Sequence, residues 1–193
     1  KPTCHKVYGE AMAVLAGDAL QAEAFRIIAT APGVDDRQRA EAVTVLARAC
    51  GADGMVAGQT LDILGLGRNR SELELLHSLK TGAMIQGAAE LGCIAAGADS
   101  RQRERAAEYA QHIGLAFQVR DDILDVIADQ QILGKTVGSD QRDGKITFVD
   151  LLGLQDSEKL VAQETAKAKN AIADLQGCEF LLNLAERLAD RRN

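Results

Sequence analysis

Three carboxylates stand inside an apolar, helix-compatible run, Phe117-Gln118-Val119-Arg120-Asp121-Asp122-Ile123-Leu124-Asp125. A helix turns about 100° per residue, so Asp121 and Asp125 fall nearly one above the other, and Gln118 lies one turn earlier on the same side. The product is a stripe of one amide and three acids, flanked by Leu115, Phe117, Val119, Ile123, Leu124 and Val126. Negative charge gathered beside a core is costly unless cations balance it, so the pattern asks for a metal. Mg²⁺ fits such a set, because it takes oxygen ligands and is usually held by one or two carboxylates together with phosphate groups. The remaining phosphate charge would need cationic side chains. Lys80, Lys135 and Lys145 are the candidates, since none of them belongs to a solvated charge run. Lys80 precedes Thr81-Gly82 in an otherwise apolar helix, one turn beyond His77. Lys135 sits in Leu133-Gly134-Lys135-Thr136-Val137-Gly138, a short way past the acids.

Plainer readings exist for the same residues. The acids could mark a solvated helix corner, but Phe117, Ile123 and Leu124 around them oppose that. Gly134-Lys135-Thr136 suggests a nucleotide-binding loop, yet Asp129 stands where the leading glycine is required, and no strand precedes it. His77 alone fits a packed or capping histidine. Gln59 and Asp62, three apart, face either one cavity or solvent. Cys4-His5 lacks the matching second pair of a zinc site.

These side chains must be carried by helices. Ala and Leu dominate, and with only two prolines and 3% aromatics the composition favours helix over sheet. A first helix is predicted from about Val7 to Thr30, its apolar faces made by Val14, Leu15, Leu20, Phe25, Ile27 and Ile28. Pro32-Gly33 ends it. Asp35 or Asp36 caps a second helix that Gly51 terminates. A third runs from about Met55 to Leu64. Ser71 and Glu74 form a candidate capping box opening a long helix that ends near Gly97. Asp99 or Ser100 starts the helix that carries the acids. Gln130 to Lys145 is glycine- and charge-rich and is expected to be a mobile loop, or short pieces, lying over another part of the fold. A short helix is expected over Ile146 to Leu152, then one opened by Asp156 or Ser157 with Leu160, Val161, Ala168, Ile172 and Leu175 at helical spacing. After Gly177 comes a last helix with Phe180, Leu181, Leu184 and Leu188 as its buried stripe. No alternating run, hairpin signal or repeat stands out. The expectation is an all-α protein, residues 1–193 forming a single helical domain.

With 193 residues the chain can bury one substantial core. A net charge of −6 speaks against a nucleic-acid-binding surface. No uncharged apolar run approaches the ~20 residues that cross a bilayer, so no integral membrane contact is expected. Cys4, Cys50, Cys93 and Cys178 are scattered, which favours reduced thiols and a cytoplasmic location over a disulfide framework. Lys1-Pro2-Thr3-Cys4-His5-Lys6 opens the chain with neither an initiator Met nor a secretory signal, as an interior point of a longer protein would.

Beyond spacing, Asp121-Asp122-Ile123-Leu124-Asp125 after Phe117-Gln118 resembles the second aspartate-rich motif of trans-isoprenyl diphosphate synthases. Four further stretches resemble that family in order: Lys1-Pro2-Thr3-Cys4-His5 with Ala16-Gly17-Asp18-Ala19-Leu20, Gly58-Gln59-Thr60-Leu61-Asp62, His77-Ser78-Leu79-Lys80-Thr81-Gly82-Ala83, and Leu133-Gly134-Lys135-Thr136-Val137-Gly138-Ser139-Asp140. The opening is most similar to the bacterial farnesyl diphosphate synthases. The resemblance implies a helical bundle of the isoprenoid synthase type that ionises an allylic diphosphate, joins the carbocation to isopentenyl diphosphate and releases a proton. It implies that Asp121, Asp122 and Asp125 bind Mg²⁺, that Lys80, Lys135 and Lys145 contact the leaving diphosphate, and that the oxygens of Thr81 and Gln118 sit near the developing cation. It also implies a homodimer. The family carries a first aspartate-rich motif, two arginines and a glycine just before the Lys-Pro-Thr segment. The chain is therefore expected to be N-terminally incomplete, the C-terminal two-thirds of a subunit, and inactive alone. Product length is not legible, so geranyl and geranylgeranyl synthases remain alternatives. A non-catalytic partner subunit would usually erode the acids, and a terpene cyclase fits the two lysine motifs less well.

Overall fold

The acid-bearing segment forms the longest helix of the fold, and most of the other elements are arranged around it. The computed structural model describes the backbone of residues 1–133 and 145–191, and the side chains of 1–127 and 145–191. Among these residues there is no strand, so the all-α expectation holds. In chain order the helices are α1 (Cys4–Tyr8), α2 (Glu10–Ala29), α3 (Asp36–Cys50), α4 (Met55–Ile63) and α5 (Arg70–His77). A π-turn (Ser78–Gly82) joins α5 to α6 (Ala83–Ala96), which is followed by α7 (Ser100–Leu133), α8 (Phe148–Leu152), α9 (Leu154–Ile172) and α10 (Glu179–Ala189).

Apolar side chains gather in three clusters. Tyr109, Ile113, Ala168, Ile172 and Ala185 join α7, α9 and α10 at one end. Val119, Ile123, Leu73, Phe148, Leu160 and Val161 join α5, α7, α8 and α9 next to the acids. Ala42, Val45 and Ile94 join α3 to α6. Val119, Ile123 and Phe148 are fully buried, so the apolar side of the acid-bearing turn is fixed by packing, and its polar side is left to face outward.

Several local expectations change. The single helix from Val7 to Thr30 is broken at Gly9, whose φ of 85° is cheap only for glycine. No residue of α2 is fully buried; Leu15, Leu20 and Ile27 are 58%, 71% and 57% exposed, while Ile28 packs against the cluster of Ala42, Val45 and Ile94. Asp35 caps α3 in a reciprocal box with Gln38. The Ser71–Glu74 box does not form. Asn69 caps α5 instead, accepting from the Glu72 N–H at 3.0 Å, while Glu74 pairs with Arg70 at 2.8 Å. Asn is as good a cap as Ser, and starting at Arg70 turns Leu73 and Leu76 inward. The long helix expected from Ser71 to Gly97 is interrupted by the π-turn. Gln130 to Leu133 continue α7 rather than opening a loop, and the remainder of that expected loop to Gly144 lies outside the described residues. Thr147, boxed with Asp150, caps α8. Helix α9 starts at Leu154, ahead of Asp156 and Ser157, with the Ser157 hydroxyl donating back to the Gly153 carbonyl at 2.9 Å. In α10, Phe180 is 72% exposed rather than buried, and Ala185 takes the core position. Leu181 and Leu188 share the face of Ala185; Phe180 lies outside that arc.

Candidate active site

A cleft of about 1370 Å³ is walled by α4, α5, α7 and the segment leading into α8. Gln118, Asp121, Asp122 and Asp125 line it together with Lys80 and Lys145, so the cleft gathers most of the residues that the sequence singles out. Gln59 and Asp62 line it too, which resolves their open alternatives in favour of the cavity. Thr81 is half-buried in the π-turn and is not among the lining residues. Lys135 lies outside the described residues.

The two lysines reach the cleft from different elements and converge on one acid. Lys80 Nζ donates to Asp62 Oδ2 at 2.6 Å, and Lys145 Nζ donates to the same oxygen at 2.9 Å. The Asp62 side chain is 10% exposed, against 33% for Lys80 and 40% for Lys145. Burial pushes the Asp62 carboxyl upward. The bonds and charges of Lys80 and then Lys145 outweigh burial and hold it below its ordinary value, so it is ionised at neutral pH.

The three acids are not equivalent. Asp122 is 4% exposed, and its Oδ2 accepts from the backbone N–H of Phe148, the first residue of α8, at 2.8 Å. It therefore fastens α8 to α7, with its negative charge at a helix N-terminus. Asp121 is half-buried and pairs with Arg191, whose guanidinium lies 4.2 Å above the Phe117 ring. Asp125 is exposed on the cleft. Among the described residues no three His, Cys, Asp or Glu side chains converge as a ready-made metal cage. The donors present are nonetheless hard carboxylate oxygens beside a pair of cations. That suits Mg²⁺, which takes part of its coordination from water and phosphate.

His77 stacks on Phe148, with ring centroids 5.7 Å apart and planes 25° apart. Burial, with a smaller push from the Lys80 charge, lowers its pKa to about 4, opposed by Asp62, so the imidazole is neutral at pH 7. Its Nδ1 is buried without a hydrogen-bond partner among the described residues. Arg191 and Arg120 are additions that sequence reasoning missed. Arg120 holds Glu158 at 3.0 and 3.1 Å and donates to the Arg191 carbonyl, tying the chain end to α7. Nothing in the spacing of Arg191 within Asp190-Arg191-Arg192 singles it out.

A model of the polyprenyl synthetase family matches residues 1–179. The farnesyl diphosphate synthase of Geobacillus stearothermophilus is 43% identical over 200 residues, covering 99% of this chain and 66% of that protein. An FPP/GFPP synthase from Zymomonas mobilis, solved in its apo form, superposes with a TM-score of 0.83 at 34% identity, covering 98% of this chain and 64% of that one. A geranyltransferase from Helicobacter pylori, solved with magnesium and isoprenyl diphosphate, superposes with a TM-score of 0.79 at 31% identity, covering 98% and 62%. The chain thus spans about two thirds of the length of the relatives that it matches.

Proposed function

From the chain's membership of the polyprenyl synthetase family, to which it belongs, we propose that the protein of which it forms part is a short-chain trans-prenyltransferase, with farnesyl diphosphate as its product. The substrates in this reading are an allylic diphosphate and isopentenyl diphosphate. The observation that carries it is the gathering of Lys80 and Lys145 into the same cleft as Asp121, Asp122 and Asp125. Such a cleft has both halves of what a departing diphosphate requires, oxygen donors for a hard cation and ammonium groups for the charge left over.

The reaction breaks the C–O bond of the allylic diphosphate, and the electron pair leaves with the diphosphate. Lys80 and Lys145 exchange their hold on Asp62 for the phosphate oxygens and stabilise the charge as it appears. Lys135 is proposed to join them. Asp121, Asp122 and Asp125 would hold Mg²⁺, which when bound neutralises charge on the leaving group. Gln118 offers its amide oxygen, and Thr81 its hydroxyl oxygen after a local shift, to the cation. The double bond of isopentenyl diphosphate closes the new C–C bond, and a proton is then lost. Neutral His77 cannot compete with the lysines for the anion.

We further propose that this chain forms one helical domain with the remainder of the subunit, that the remainder supplies the rest of the metal and isopentenyl diphosphate sites, and that the protein is a cytoplasmic homodimer. The exposed apolar residues of α2 support the dimer. No helix of the described residues is long and apolar enough to cross a membrane. Incubating the full-length parent with geranyl and isopentenyl diphosphates and Mg²⁺ should give chain elongation, and Asp121→Ala should abolish it. No elongation, or equal activity of the variant, would refute the reading.

A further inference from the structure

At Gly58, helix α4 meets the π-turn backbone against backbone. A Cβ placed on Gly58 would lie 2.2 Å from Lys80 N, 2.5 Å from Lys80 Cα and 2.8 Å from Leu79 C. Contacts under 3.0 Å with backbone cannot be relieved by turning a side chain, so glycine is required here. Gly58 itself is buried and in the middle of α4, where glycine is otherwise a poor residue. One turn later the same helix presents Asp62, whose single Oδ2 receives both Lys80 and Lys145. The π-turn inserts an extra residue locally and so changes the direction in which Lys80 leaves the helix.

We infer that α4 is the positioning element of the lysine pair: Gly58 seats it against the backbone of Lys80, and Asp62 gathers the ammonium groups of Lys80 and Lys145 to one point before an anion arrives. Neither residue is assigned a contact with the reacting atoms. The two cations come from segments 65 residues apart (145 − 80), and without an anion between them they repel each other. Asp62 holds them where a diphosphate can take both, and Gly58 fixes the distance from which Asp62 acts. The inference rests on the lysines being the diphosphate ligands proposed above.

The test uses the full-length parent and two readouts, elongation and calorimetric titration with inorganic diphosphate and Mg²⁺. Gly58→Ala should lower kcat/KM roughly 100-fold, the loss that a misplacement of about 1 Å produces, and weaken diphosphate binding at least tenfold. Asp62→Asn, which disturbs no backbone packing, should weaken diphosphate binding about tenfold and carries the test if Gly58→Ala fails to fold. In a Lys80→Ala, Lys145→Ala background both losses should shrink to less than about threefold, because the residues act through the lysines. Losses of undiminished size in that background overturn the inference, since a merely structural role would produce them, and so does wild-type binding by Asp62→Asn. A parent that binds diphosphate but elongates nothing refutes prenyl transfer instead, and the titration arm still decides the role of α4.

Discussion

Asp122 is the acid for which a structural and a chemical role can be separated by experiment. Its carboxylate is nearly enclosed and accepts the N–H of Phe148, a residue with no exposure, at 2.8 Å. In Asp122→Ala that N–H, on a residue with no exposure, loses its acceptor. An unsatisfied buried donor costs about 1–3 kcal/mol, and loss of the negative charge at the start of α8 adds about 0.3–1 kcal/mol. A destabilisation of about 1–4 kcal/mol follows, or a fall of roughly 3–16 °C in Tm at about 2–4 °C per kcal/mol. Asp122→Asn keeps an acceptor oxygen and loses only the charge, so it should cost under about 1 kcal/mol. The measurement is thermal and denaturant unfolding of the full-length parent and both variants, without Mg²⁺ or substrate. Metal binding then contributes nothing, and only the fastening of α8 is read. If Asp122→Ala unfolds with the wild-type midpoint, the bond to Phe148 is not what buries this acid. Because Asp122→Asn should fold normally, any loss of its elongation activity reports the chemical role alone.

Other perturbations follow from the same geometry. His77 is neutral in the fold down to about pH 4 but takes up a proton near pH 6.5 when unfolded; the unfolded state therefore binds more protons between these values, and stability should fall by up to about 1.4 kcal/mol per pH unit on acidification through that window. His77→Phe, which keeps a ring on Phe148, should flatten that slope in urea titrations at pH 4 to 7. Glu164, 5% exposed, holds His112 at 2.6 Å and Lys167 at 2.7 Å; Glu164→Ala should cost about 2 kcal/mol in denaturant unfolding. Burial raises the Glu164 carboxyl, but Lys167 and His112 bring it below 4.5, so the stability it contributes is present above pH 4.5 and lost below it, and Glu164→Gln should remove that part of the acid limb.

How much of this was legible in the residues depends on the range of the interaction involved. Asp35 and Asp36 both offer a cap for α3 within one turn, and the structure selects Asp35, with Gln38 closing the reciprocal box. The π-turn could not be read, because one extra residue in a helix leaves no mark in an apolar pattern. Gly58 sits unremarkably in Gly58-Gln59-Thr60-Leu61-Asp62 until the backbone of Lys80 is found against it. The stripe of Gln118, Asp121, Asp122 and Asp125 was correctly placed on one helix face, since 100° geometry suffices for that. Its division into a buried fastener, an acid paired with Arg191 and an exposed acid depends on α8 and the chain end, which spacing within α7 does not encode. The open face of α2 is not legible either: its apolar residues predict burial, and only the fold shows Leu15, Leu20 and Ile27 exposed among the described residues.

The pairing of Lys80 and Lys145 on Asp62 also bears on what the cleft can bind. Two ammonium groups share one carboxylate oxygen at that point. An incoming anion must therefore displace a partner that is already in place and has no translational entropy left to lose. A unit charge 4 Å away interacts by about 4 kcal/mol at an effective dielectric constant of 20, so a singly charged ligand gains little over what Asp62 already provides. Under the proposed function a diphosphate brings several charges and would hold both lysines, while Asp121, Asp122 and Asp125 would hold the Mg²⁺ that offsets the remainder. Under the proposed function, the parent should bind inorganic diphosphate with Mg²⁺ at least 100-fold more tightly than inorganic monophosphate, and Asp62→Asn should narrow that ratio by weakening diphosphate and strengthening monophosphate, which no longer has a carboxylate to displace. Competition titrations at constant ionic strength measure both ratios. Monophosphate affinity within about threefold of diphosphate would show that the lysines bind anions without the exchange that Asp62 imposes.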